Sequence, residues 1–252
     1  MIGKLPPPYG RQGNKYPIRS KIIPMIPEHE TYVELFAGSG AIFFNKQKAK
    51  NNVLNDLDKN TTRSFNLIID APLDISTYPN PQSIEETKIF YLQPTDDIIQ
   101  NEIIRYKIIV SCGFSNKPVV RAKAIYKTRK YHRWIKDLQK WKDKLNDTTI
   151  MGVDYEDAIR KYDAVDTFFF IDPPYENTTS DFGYAESKTF DFNRLLKALV
   201  DIKGMFLMTI NDSTTTRQLF KDFTINAIDV ACTWGKGSIR KELIITNYAI
   251  TV

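Results

Sequence analysis

Apolar residues in this chain fall into short runs broken by glycine, proline and acidic residues, and the runs change period along the sequence. Residues 31–37 (TYVELFA) predict a buried strand that breaks at Gly38-Ser39-Gly40, and 41–50 has helical character. A second short strand is expected over 52–57 and a helix over 59–69. Periodicity is then lost from 71 to 94, where Pro72, Pro79, Pro81 and Pro94 gather, which marks the entrance to a separate lobe. Residues 96–110 and 122–145 read as helices, and 111–118 (SCGFSNKP) has the turn chemistry of an exposed loop.

Beyond the lobe, strands are expected over 149–153, 167–171 and 205–210, helices over 155–162 and 192–201, and a final strand pairing over 241–248. Strands alternating with helices imply an α/β fold, a doubly wound sheet interrupted by a mainly helical insertion. The division expected is 1–75 with 148–252 as one domain and 76–147 as the insertion.

Composition narrows the setting. Hydrophobic content of 42% and charged content of 26% suit a globular domain, and no apolar run approaches the ~20 residues of a membrane span. The proline- and glycine-rich residues 1–13 lack the apolar centre of a secretory signal, so the expected location is the cytoplasm, of a bacterium or of a cell carrying a phage or virus. Cys112, Cys232, His29 and His132 show no metal-ligand spacing, so no metal is expected.

Charge changes the picture more. Between Arg105 and Lys144 thirteen Lys or Arg face two acids, a local +11, which leaves −6 for the rest of a chain of net +5. Tyr106, Phe114, Tyr126, Tyr131, Trp134 and Trp141 interleave with these cations, as on nucleic-acid-binding surfaces; a solvated helix face is the alternative.

Ligands of open α/β sheets bind beyond the carboxyl ends of the strands, so candidate chemistry is sought there. The first strand end leads into Gly38-Ser39-Gly40, where glycine lets backbone approach a ligand, although structural turns use the same residues. No Gly-Lys-Ser/Thr ending follows to meet phosphates, so a nucleoside fits better than a nucleotide triphosphate. The second strand end offers Asp56 to ribose hydroxyls, with Asp58 as the cap of the next helix. After the apolar run 167–171 come Asp172-Pro173-Pro174-Tyr175. The prolines stiffen the loop, a carboxylate and a carbonyl accept from an exocyclic amino group, and the tyrosine offers a face for a base extruded from a helix.

With these motifs in this order the chain resembles the Dam-like adenine-N6 DNA methyltransferases, the D12 class or α group. Gly13-Asn14-Lys15-Tyr16-Pro17 is similar to the family's N-terminal motif, 34–40 to its cofactor loop, 55–58 to its ribose motif, Asp172–Tyr175 to its DPPY, and Asn211-Asp212-Ser213 to the segment on the following strand. The resemblance implies a Rossmann-like class I methyltransferase fold, S-adenosylmethionine as cofactor and double-stranded DNA as partner, in a monomer or weak dimer. It implies that Asp172, Pro173, Pro174 and Tyr175 are catalytic, and that Glu34, Phe36, Gly38 and Gly40 form the cofactor loop. Lys15 and Asp172 then flank the methionine portion, Asp56 takes the ribose, and Asp154 sits near the cofactor adenine. The family's aromatic residue four positions before the motif lysine is replaced by Arg11, and Tyr9 is the candidate substitute. In the insertion, Asn116, Lys117 and Arg121 are candidates for base edges, and Arg129, Lys130 and Arg133 for phosphates.

Three alternatives stay open at this stage. N4-cytosine methyltransferases typically carry serine at the position of Asp172, and RNA adenine methyltransferases asparagine. A DNA-binding protein that keeps the fold without activity would lack affinity for the cofactor.

Overall fold

A computed structural model describes residues 2–9, 13–71, 73, 83, 130–175, 190–231 and 239–250, without the side chains of 60, 130–135 and 231. The expectations for 96–110, 111–118 and 122–129 lie outside the described residues.

Seven strands form one sheet: β1 (Thr31–Glu34), β2 (Asn51–Asn55), β3 (Thr148–Met151), β4 (Thr167–Ile171), β5 (Met205–Asn211), β6 (Thr224–Ala231) and β7 (Ile239–Thr246). Their order across the sheet is β3-β2-β1-β4-β5-β7-β6. The first five run parallel, and β7 is antiparallel to both β5 and β6. Chain order reverses between β1 and β4, so the loops after these two strands diverge and open a crevice at the carboxyl edge.

Side-chain alternation sorts the core into two layers. Phe168 and Phe170 of β4 pack with Tyr32, Leu54, Leu207 and Ile244 on one face; Phe169 and Ile171 pack with Val33, Val53, Phe206 and Met208 on the other. All five β4 residues are buried, which explains a continuous apolar run instead of alternation.

Helix α1 (Arg19–Ile22) lies between two short 3₁₀ turns. Helices α2 (Lys59–Asp70) and α3 (Lys130–Leu145) cover the first face through Phe65, Ile68, Leu138, Trp141 and Leu145. Helices α4 (Tyr155–Tyr162) and α5 (Phe192–Val200) cover the second, and α6 (Thr214–Leu219) follows β5. Each of these last three starts on a side-chain cap: Asp154 accepts from Glu156 N, Asp191 from Arg194 N and Ser213 from Thr216 N.

Two sequence expectations change. Residues 41–46 form turns and not a regular helix: Phe44 N and Lys46 N reach Gly40 O and Ile42 O, but the Asn45 side chain takes the Ala41 carbonyl (2.9 Å) and Asn45 N bonds Ile42 O instead. In addition, α3 packs into the core of the sheet through Leu138, Trp141 and Leu145. Trp141, read from sequence as one of the aromatics of a nucleic-acid surface, is 2% exposed and donates its indole N–H to Pro6 O at 2.8 Å.

Candidate active site

The N-terminal segment runs across the carboxyl edge of the sheet. Gly3 N donates to Asn45 O (2.8 Å), Asn45 Nδ2 to Leu5 O (2.8 Å), and Trp141 to Pro6 O. These contacts deliver Tyr9 and Lys15 to the crevice. Tyr9 is buried and donates its hydroxyl to Gly38 O at 2.6 Å, which fixes the outer side of the glycine loop.

Gly38 and Gly40 have φ of +50° and +67°. A Cβ on Gly40 would stand 2.9 Å from Phe44 Cε2, so both conformation and space call for glycine. Asp56 binds the loop from below: its Oδ2 accepts from Gly38 N (2.8 Å) and its Oδ1 from Asp58 N (2.9 Å). Asn55 joins three strand ends, donating to Leu35 O and Val153 O and accepting from Val153 N. The Ser39 hydroxyl is buried at this loop and completes no hydrogen bond.

Asp172 stands at the end of β4 with its side chain 18% exposed. Lys15 Nζ, on a side chain 4% exposed, lies 2.7 Å from Oδ1 and 2.8 Å from Oδ2 and also donates to Gly13 O. Thr209 on β5 donates to Oδ1 at 2.8 Å. Burial raises the Asp172 carboxyl above the ordinary carboxylate range; the Lys15 charge and the Thr209 bond oppose this, and the negative charge of Glu242 adds to it. The same ammonium lies 4.9 Å from the Tyr175 ring centroid, so one cation orients both ends of the tetrapeptide. Burial, followed by the charges of Asp172 and Glu242, pushes the Tyr175 phenol well above its ordinary value.

Glu34 is 1% exposed and uses Oε1 to accept from Tyr32 Oη (2.8 Å) and Phe43 N (2.7 Å). These bonds tie β1 to the turns after the glycine loop. Burial pushes its carboxyl up to about 7 despite the bonds and the nearby Lys46 charge. Phe36 contacts Tyr155 and Phe190, each at a centroid distance of 5.6 Å, and gives the crevice an aromatic wall. Asp154 caps α4 and pairs with both terminal nitrogens of Arg194 (2.8 and 3.0 Å).

The crevice thus brings together Tyr9, Lys15, Glu34, Phe36, Gly38, Gly40, Asp56 and Asp172–Tyr175, with Asp154 held to Arg194. Asn116, Lys117, Arg121 and Arg129 lie outside the described residues, and Lys130 and Arg133 fall on α3 without described side chains. Among the described residues no group of three His, Cys, Asp or Glu is arranged to hold a metal.

Sequence reasoning missed Thr209, Arg240 and Glu242. The last carried a signal, since an acid leading an apolar run on a strand (ELII) is a candidate buried carboxylate, and Glu242 is 1% exposed.

The strand order with β7 inserted antiparallel beside β5, and a glycine loop facing a DPPY strand end, define a class I methyltransferase catalytic domain. Residues 12–233 match the D12 class N6 adenine-specific DNA methyltransferases, and the chain belongs to that family. It is 24% identical over 213 residues, 77% of each chain, to the type II methyltransferase M.CviBI of Paramecium bursaria Chlorella virus NC1A. Solved structures similar to it include a putative methyltransferase, yhhF, from Escherichia coli (9% identity, TM-score 0.42, 96% of this chain and 91% of that one). Another is a conserved hypothetical protein of Streptococcus pyogenes (13% identity, TM-score 0.38, 93% and 96%). The chain is accordingly an adenine-specific DNA methyltransferase.

Proposed function

We propose that this enzyme moves the methyl group of S-adenosylmethionine to N6 of an adenine that has been turned out of double-stranded DNA. The observation that carries the reading is the recessed Asp172 carboxylate at the end of β4, beside the rigid Pro173-Pro174 carbonyls and the Tyr175 ring.

The residues present suit a nucleoside cofactor. The positive-φ glycine loop permits close backbone approach, Ser39 Oγ is a buried hydroxyl still short of a partner, and no lysine of a phosphate loop follows. Asp56 stands at the second strand end and accepts from Gly38 N of the glycine loop and from Asp58 N, which holds an acid at the position where ribose hydroxyls are bound in such folds. When bound, S-adenosylmethionine supplies a methyl group activated by a cationic sulfur.

The chain itself supplies position and polarity. Asp172 accepts one N6 hydrogen and the Pro173 carbonyl the other, drawing the amine lone pair out of the ring and towards the methyl group. Lys15 holds the carboxylate ionised and oriented while this happens. The amine loses a proton once the new N–C bond has formed, and Asp172, whose proton affinity burial increases, is the acceptor at hand. A carboxylate this recessed does not reach an amino group inside a stacked duplex, which is why the base is extruded and rests on Tyr175.

The test is methyl transfer from radiolabelled S-adenosylmethionine to mixed-sequence duplex DNA, followed by digestion to nucleosides. Label is expected in N6-methyldeoxyadenosine with the wild type and in nothing with Asp172→Ala, which keeps its cooperative melting. Label in N4-methyldeoxycytidine, or full activity of Asp172→Ala, overturns the reading. Equal use of single-stranded DNA overturns the duplex requirement.

A further inference from the structure

The acid at the third strand end is held by more than its own helix cap. Asp154 lies beyond β3, and Asn55 at the end of β2 fixes the preceding residue through Val153 N (3.1 Å) and Val153 O (3.0 Å). Asp154 Oδ1 accepts from Glu156 N at 2.9 Å and from Arg194 Nη2 at 2.8 Å, and Oδ2 accepts from Arg194 Nη1 at 3.0 Å. Arg194 Nε stands 2.8 Å from Glu156 Oε1. The same guanidinium lies 5.0 Å from the centroid of the Tyr155 ring, which meets the Phe36 ring beside the glycine loop. The backbone of Arg194 is fixed as well, since its N–H donates to the Asp191 cap of α5 at 3.0 Å.

Arg194 is 43% exposed, and an exposed ion pair by itself contributes little to stability. What the fork fixes is direction, because a guanidinium engages a carboxylate through two parallel bonds in one plane. Among the described residues Asp154 Oδ2 accepts one bond, and a carboxylate oxygen has room for about two. The ends of β4, β1, β2 and β3 stand side by side in that order. A cofactor with its methyl group at Asp172 and its ribose at Asp56 therefore extends its base to the next strand end, that of β3, beside the wall of Phe36 and Tyr155. The adenine of S-adenosylmethionine carries an exocyclic amino group, a donor for this acceptor.

We infer that Arg194 is a positioning residue that fixes the Asp154 carboxylate as the acceptor for the amino group of the cofactor's adenine, and so makes the site selective for an adenosyl cofactor. The inference rests on the proposed use of S-adenosylmethionine. Arg194 touches no reactant and acts through Asp154. An arginine that merely joined α4 to α5 would affect every cofactor analogue alike, whereas this role affects those that carry the amino group.

The experiment is calorimetric titration of the full chain with S-adenosylhomocysteine and with its analogue that has hydrogen in place of the 6-amino group. The wild type is expected to bind the analogue about tenfold or more weakly, because Asp154 is then left without its donor. Arg194→Met should weaken S-adenosylhomocysteine binding by about tenfold and binding of the analogue by less than about twofold, so that the preference falls towards one. Arg194→Lys, which keeps the charge without the fork, should also lose most of the preference, and it carries the test if Arg194→Met does not fold. Equal losses for the two ligands, a wild-type preference in either variant, or a wild type that binds both ligands equally overturns the inference. Absence of S-adenosylhomocysteine binding by the wild type would instead overturn the cofactor reading on which it rests.

Discussion

A carboxylate at the end of a buried strand is unfavourable unless charged or hydrogen-bonding partners surround it, and Asp172 has Lys15 and Thr209 in that role. Burial raises its proton affinity and Lys15 lowers it. Removing the cation with Lys15→Met therefore raises the Asp172 pKa further. Because the ionised form accepts from the amine, the acid limb of the kcat profile should move to higher pH by about one unit or more. An unmoved limb would separate Lys15 from Asp172 ionisation.

Glu34 gives a stability prediction. Its folded-state pKa of about 7 lies above the ordinary 4.5, so the folded protein holds this proton more tightly than the unfolded chain does. The contribution is fully favourable at or below about pH 4.5 and is lost as pH rises towards 7, by up to about 3 kcal/mol. Glu34→Gln keeps an acceptor for Tyr32 and Phe43 without the ionisation. Its Tm relative to the wild type should therefore rise between pH 5 and pH 8, and a constant difference contradicts the assignment.

At this scale the site was legible where a residue's role depends on its neighbours in sequence. Asp172-Pro173-Pro174-Tyr175 and Asp56 declare themselves by standing at strand ends. Glu242 does not, since Asn211, which it faces across the sheet, is remote in sequence and meets it only because β7 pairs with β5.

Among the elements, β4 and α4 match their expected bounds because both are flanked by sharp signals. A five-residue apolar run stops at Asp172-Pro173, and Asp154 caps α4. The helix expected after the glycine loop is replaced by turns where the Asn45 side chain takes the Ala41 carbonyl, a group that a helix would pair with the Asn45 N–H. β6 was not foreseen, being an edge strand whose polar residues face solvent and weaken the apolar signal.

Helix α3 divides its cations. Lys142 Nζ donates to Ile69 O and Ala71 O, closing the carboxyl end of α2, and Lys144 Nζ donates to Lys46 O. These lysines brace the helix on the catalytic layer. Trp141→Phe removes the bond to Pro6 O and should cost about 1 kcal/mol, lowering Tm by roughly 2–4 °C in thermal melting. A variant as stable as the wild type would remove Trp141 from the anchoring of the N-terminal segment.

Across the whole molecule, the doubly wound class was readable from the alternation of strand and helix, whereas the order β3-β2-β1-β4-β5-β7-β6 was not, because the position of β7 depends on pairings between distant segments. The basic stretch from Arg105 to Lys144 is the region proposed to face DNA, and α3 lies at its carboxyl end. Lys136 and Lys140 are exposed, and Lys140 pairs with Asp137 within its own helix. Replacing both with glutamine should weaken DNA binding and flatten the dependence of log K on log salt by up to about two. Lys142→Gln should instead lower Tm with little change in the salt slope.

The central claim, adenine methylation at N6 through the Asp172 strand end, is tested most directly by modification-sensitive sequencing of DNA from cells expressing the wild type or Asp172→Ala. The account predicts N6-methyladenine in one defined sequence context with the wild type and its loss with the variant. N4-methylcytosine in place of methyladenine, or the same adenine signal from both proteins, would contradict it.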